Sequence, residues 1–241
     1  MIVSQSKKFI FVHVHKAGGS SVSTALQPHL AWNDLILGGS ELGETLNPLF
    51  RAQYGLHKHS TFDEIRQVIG DTLVDDYFSF AFVREPSAKI VSLYNYIASF
   101  SEDLARFLGK TEDELAEASI SGSSDISHNF LSWDATRAYY QTGSFSDFIR
   151  SADAQADMGF RPQIDSLKTP DGDRIVNKIV KLETVMQSLP ELWQGLGFRF
   201  HLPHVNRAEK IAQSHETMEK RDKAYLKALF ADDYLALEYP G

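Results

Sequence analysis

Lys16 stands directly before two glycines and two serines, in the run His15-Lys16-Ala17-Gly18-Gly19-Ser20-Ser21. Glycines let a chain turn tightly and bring bare backbone up to a ligand. A helix opening on such a turn aims its first N–H groups, and the positive end of its dipole, at the same spot. A lysine ahead of the turn adds a mobile point charge. These residue types suit a phosphate or sulfate ester. The nucleoside triphosphatase loop places its lysine after the glycines, as G-x-x-x-x-G-K-[ST]. The reversed order here points away from hydrolysis of ATP or GTP.

Arg84 heads a second run of this kind, Arg84-Glu85-Pro86, continuing to Ser92-Leu93-Tyr94. An arginine at the carboxyl end of a buried strand sits where open α/β sheets bind ligands, and its forked guanidinium matches a dianionic phosphate. Ser92 lies one helix face further on and could donate another hydrogen bond. Alone, a strand-end arginine is as often a structural ion pair. Together with residues 15–21 it reads as the second half of an anion site.

Histidine is the side chain matched to taking a proton near neutral pH. His57-Lys58-His59 lies between the two runs. His59, which adjoins a helix cap, is preferred over His57 as a general base; the plain alternative is that both are exposed loop residues. His13 and His15 alternate along a strand, so their side chains point the same way. With His57 and His59 they could make a zinc site, because imidazole suits that ion. No H-E-x-x-H or carboxylate pattern accompanies them, so no metal is assigned. His13 reads as core-facing and His15 as a rim residue. Glu183 reads as the partner of an arginine rather than a catalyst.

The elements that must position these groups are legible. Residues 7–14 are β-branched and aromatic, a buried strand, and 19–27 a helix stopped by Pro28. Residues 31–55, with Gly38-Gly39, Gly43 and Pro48, read as a loop with one short strand. Thr61 and Glu64 form a capping box for a helix over 61–69. Residues 77–83 are a second strong strand, and Pro86 suits the first position of a helix reaching about Phe100. The stretch 101–170 is expected to hold short helices, with the serine-rich part at 119–127 most mobile and the aromatic residues at 130–148 mainly core. A third strand is expected at 178–182, a helix over 184–196, and helical periodicity at 217–237. Alternating strands and helices indicate an α/β sheet that is mainly parallel.

The two anion-binding runs resemble the 5′-phosphosulfate and 3′-phosphate motifs of sulfotransferases that use 3′-phosphoadenosine 5′-phosphosulfate (PAPS). They are most similar to the carbohydrate branch, whose motifs read approximately P-K-T-G-G-T-S and R-D-P-x-x-R-x-x-S-x-Y. His15 stands where that pattern has proline, and Ala17 where it has threonine. The runs Lys181-Leu182-Glu183-Thr184-Val185 and Leu202-Pro203-His204-Val205-Asn206 resemble the family in order and spacing, so the likeness spans nearly the whole chain. It implies a P-loop nucleotide-kinase-like three-layer fold over 1–241, one domain, with 101–170 a helical acceptor-side insertion. It also implies that Lys16 contacts the bridging oxygen and sulfonate, and that Ala17, Gly18, Gly19, Ser20 and Ser21 cradle the 5′-phosphate. Arg84 and Ser92 would hold the 3′-phosphate, with Arg207 or Lys210 closing over the nucleotide. Related heparan-type enzymes carry a histidine-rich turn, like that at 57–59, which supplies the base.

The implied reaction is sulfuryl transfer from PAPS to a hydroxyl, most simply on a glycan or small molecule, leaving 3′-phosphoadenosine 5′-phosphate (PAP). A P-loop small-molecule kinase would need a lysine after the glycines and an acidic magnesium ligand; a catalytically silent nucleotide-binding protein would need no base. With 32 acidic and 24 basic residues, the chain lacks the clustered charge of a nucleic-acid-binding protein. Zero cysteines exclude disulfides and cysteine–zinc sites. The one apolar run near the start, Phe9 to Val14, is too short for a signal or spanning helix. The reading is a soluble cytoplasmic protein.

Overall fold

A computed structural model describes residues 1–122, 126–203 and 212–240. These fall into two compact units, one of residues 1–85, 162–203 and 236–239, the other of 86–122, 126–161, 212–235 and Pro240. The first unit opens with β1 (Ile2–Ser4), β2 (Phe9–Val12), α1 (Gly19–Leu26), β3 (Leu35–Ile36), α2 (Glu41–Tyr54), α3 (Phe62–Ile69), α4 (Asp71–Asp76) and β4 (Phe78–Val83). The second holds α5 (Pro86–Leu108), α6 (Glu112–Ser121), α7 (Asp134–Gln141), α8 (Phe145–Phe148) and α9 (Ala152–Ala156). The chain returns to the first unit for β5 (Lys178–Lys181) and α10 (Val185–Leu196). It then supplies the second with α11 (Lys220–Leu229) and most of α12 (Ala231–Ala236).

The five strands form one sheet in the order β3-β1-β2-β4-β5. The pairs β2–β4 and β4–β5 are parallel, whereas β1–β2 and β1–β3 are antiparallel. The sheet is therefore mixed: the β2–β4–β5 half is parallel, as expected, and the β3–β1–β2 half is antiparallel. The antiparallel half is built from strands of three and two residues, too short to show a period, and a hairpin needs only a tight turn where a parallel pair needs a crossover. Observed β2 is correspondingly shorter than the strand expected at 7–14.

Period-two alternation sets the core. Phe9, Phe11, Phe80, Phe82 and Val180 project to one face of the sheet, where Val22 and Leu26 of α1 and Leu189 and Leu192 of α10 cover them. Each of the four phenylalanines is 0–1% exposed, a burial that contributes about 1.5–3 kcal/mol apiece. Register then decides where the loops emerge. Val12 lies opposite Ala81, and Val83 opposite Lys181, so the segments after β2, β4 and β5 all leave the same edge. That carboxyl edge is where open α/β sheets place ligands.

The capping box of α3 is present: Thr61 Oγ1 accepts from Glu64 N at 3.1 Å and Glu64 Oε2 accepts from Thr61 N at 2.9 Å. The helix over 41–54 departs from the loop expected there. Ser40 Oγ caps it by accepting from Gly43 N at 3.1 Å, and Gly55 ends it at φ +72°. Gly43 is not a breaker but a contact residue, since a Cβ there would fall 2.7 Å from the Gly38 carbonyl oxygen. α5 runs two turns beyond the expected end. In the second unit Phe130, Phe145 and Phe148 are buried as expected, while Trp133 is 40% exposed. Of the serine-rich stretch, residues 123–125 lie outside the described residues.

Candidate active site

The turn after β2 is built by two residues in the left-handed region, Lys16 at φ +56° and Gly18 at φ +80°. A lysine rarely adopts that conformation, and such outliers concentrate at binding sites. Gly18 is the N-cap of α1 and supplies no capping side chain, and the first turn carries no acid. The positive end of α1 thus meets no carboxylate of its own helix. Gly19 is obligatory for a packing reason: a Cβ there would fall 2.0 Å from Cδ2 of His13. Gly18 in turn approaches Leu182, just past β5.

Lys16 is half-buried. Burial lowers its ammonium to a pKa of about 7, with the positive charges of Arg84 and Lys58 acting in the same direction. The charge of Arg84 therefore reaches Lys16, the two residues lying in the segments that follow the adjacent parallel strands β2 and β4. Three cations converge here. Each would be relieved by a dianion.

Arg84 is held by residues that carry no motif. Gln163, 1% exposed, accepts from Arg84 N at 2.9 Å and donates to Arg84 O at 2.7 Å, imitating a strand neighbour. Burial pulls the guanidinium below its ordinary range, and Glu183, Glu85 and Tyr239 oppose this. Glu183 itself accepts from Glu85 N at 2.8 Å and from the Tyr239 hydroxyl at 2.9 Å. Glu183 thus acts on Arg84 through its charge, while its hydrogen bonds go to Glu85 and Tyr239. Gln163 and Tyr239 were missed because neither residue type nor spacing distinguishes them from any other buried polar side chain.

The histidines come together more tightly than the sequence suggested. His59 Nδ1 lies 2.8 Å from the His13 carbonyl oxygen. A carbonyl can only accept, so Nδ1 carries the proton and the lone pair of neutral His59 is at Nε2. His57 is the mirror case: its Nδ1 accepts from His59 N at 3.2 Å, which puts its own proton on Nε2. His13 is 4% exposed and its Nδ1 has no hydrogen-bond partner. Burial first, then neighbouring positive charges, hold both His13 and His59 well below the ordinary histidine range.

The loop carrying His57, Lys58 and His59 is fastened at several points. His57 N donates to Ser60 Oγ at 2.9 Å and Lys58 N to Asn47 Oδ1 at 2.6 Å. Lys58 Nζ pairs with Glu44 Oε1 at 2.8 Å. The unforeseen helix α2 is therefore what braces this loop. Among the described residues no cluster of three or more His, Asp or Glu side chains is arranged around a metal ion.

The remaining expected residues divide among α1, the second unit and the segment outside the described residues. Ser20 and Ser21 are half-buried in the first turn of α1. Ser92 belongs to α5, in the second unit. Lys89, at the position of the second arginine in the resembled motif, is 1% exposed and donates to the Arg161 carbonyl, with Asp233 and Asp157 as its opposing charges. It is committed within the second unit. Arg207 and Lys210 lie outside the described residues.

A glycine turn, a helix N-terminus free of acids and converging cations at the carboxyl edge of a sheet define an α/β protein suited to gripping a phosphate or sulfate ester. The chain belongs to the sulfotransferase family, whose model matches residues 1–240. No curated protein and no solved structure matches it. Family membership makes the protein a transferase and its chemistry sulfuryl transfer. Among the described residues no helix is long and apolar enough to cross a membrane.

Proposed function

We propose that the protein transfers the sulfuryl group of PAPS to a hydroxyl of a carbohydrate or glycoconjugate. The observation that carries this reading is that the charge of Arg84 bears on Lys16, two cations that follow neighbouring parallel strands and suit the two anionic ends of one nucleotide. The donor, when bound, supplies an activated sulfuryl group. Gly18, Gly19, Ser20 and Ser21 would hold the 5′-phosphate, with Ala17 keeping the turn compact, and Arg84 would hold the 3′-phosphate. His59 takes the acceptor proton at Nε2 as the new O–S bond forms. Lys16 neutralises the electron pair left on the 5′-phosphate oxygen as the old S–O bond breaks. The carbohydrate acceptor is supported by the likeness of both motifs to that branch of the family.

Calorimetry against PAP and ATP tests the nucleotide. PAP should bind at least tenfold more tightly, roughly the 1.4 kcal/mol that one extra charge-assisted contact contributes; equal affinities would overturn the PAPS assignment. A sulfate-transfer assay over a glycan panel then tests the acceptor.

The lowered pKa of Lys16 has a measurable consequence. A dianion beside the ammonium favours its charged form, so its pKa rises from about 7 on binding. Binding at pH 8 should therefore take up a proton, and PAP affinity should weaken as pH rises above about 7. Titrations in buffers of different ionisation enthalpy measure the uptake directly, and Lys16→Met should abolish it. Proton release or no uptake in the native protein would contradict the arrangement.

A further inference from the structure

His15 lies face to face on His59, with ring centroids 3.5 Å apart and planes inclined by 23°. His13 meets the same ring edge-on, at 4.8 Å and 70°. The hydrogen bond from Nδ1 to the His13 carbonyl fixes where that nitrogen lies, but a single such bond tolerates rotation of the ring about it. A flat partner stacked on the ring removes that freedom. In the resembled motif position 15 is proline, which offers no aromatic face and no titratable nitrogen.

We propose that His15 is a positioning residue for His59: its ring sets the plane in which the Nε2 lone pair points, and its charge, when present, opposes a proton on its neighbour. The proposal rests on the reading of His59 as the base.

The surroundings of His59 favour its neutral form throughout. Around the ring stand His13 from the end of β2, His15 from the glycine turn, and His57 and Lys58 from its own loop. Lys16 and the amino group of Met1 act on His13 behind it, and Glu44 of α2 is tied to Lys58. Like charges at stacking distance repel strongly in a partly dry site. Burial is the largest influence keeping His59 below the ordinary histidine range, and His15 is the largest of the charges. The two rings cannot readily both be cations.

Imidazole nitrogen NMR on the whole protein, without nucleotide, tests this in the wild type, His15→Phe and His15→Ala. In the wild type His59 should appear as the Nδ1–H tautomer and titrate below about 6.5. His15→Phe keeps a flat partner and removes the charge, so the midpoint should rise by about half a unit or more with the tautomer unchanged. In a sulfuryl-transfer assay the acid limb of kcat/KM should move with it, while the plateau stays within about threefold. His15→Ala should lower the plateau about tenfold, through loss of orientation, and Phe should restore it. An unchanged His59 midpoint and tautomer across all three proteins would overturn the proposal. The NMR arm needs neither donor nor acceptor. A protein without transfer activity whose His59 still responds to His15 would sink the sulfotransferase reading and support the coupling; an active enzyme with an unresponsive His59 would sink the positioning role alone.

Discussion

Replacing Lys16 with alanine is expected to lower kcat by about 10³-fold or more, the scale seen when one preorganised charge stabiliser is removed from a partly dry site. The ammonium is half-buried, fixed on a left-handed backbone and aimed by the same turn that opens α1. Neither neighbouring cation can substitute. Arg84 is bound through its backbone to Gln163 and balanced by Glu183, and Lys58 is paired with Glu44. Because the charge on the leaving oxygen grows along the reaction, the loss should fall more on kcat than on PAP affinity. Steady-state kinetics beside calorimetry separates the two. A variant within tenfold of the native rate would remove Lys16 from the chemistry.

His59→Ala is expected to reduce the rate by about 10²–10⁴-fold, the contribution of a positioned general base, with PAP affinity little changed. The decisive feature is the tautomer, since the proton on Nδ1 leaves Nε2 as the accepting nitrogen. His57→Ala should cost far less, because in that ring the accepting nitrogen is already used by the His59 amide. The sign of the pH dependence follows. A base whose pKa lies well below 6.5 stays unprotonated, so activity should persist into acid beyond the point where an ordinary histidine would be charged. If His57→Ala does the damage and His59→Ala does not, the base has been assigned to the wrong residue.

These two residues were reached from opposite directions. Lys16 was legible because charge, glycines and a following helix are adjacent in the chain, and the turn that joins them is local. The capping box of α3 and the glycine end of α10 were legible for the same reason. The short strand expected within 31–55 is present as β3, but the helix at 41–54 was misread because Gly43 and Pro48 normally argue against one; only the close approach of Gly38 explains the glycine. The mixed sheet was hidden because β1 and β3 are too short to carry a pattern.

What the amino-acid order determined alone was the glycine turn behind Lys16, the strand-end arginine and the alternation of elements, since each depends on neighbours within a few residues. What the tertiary structure decided was which distant groups meet. Parallel register brings Lys16 and Arg84 to one edge, Gln163 holds the backbone of the arginine from nearly 80 residues away while Glu183, nearly 100 residues on, fastens the neighbouring Glu85 amide, and His15 comes to lie against His59. Such contacts arise from strand pairing and close packing, and chain spacing carries no record of them.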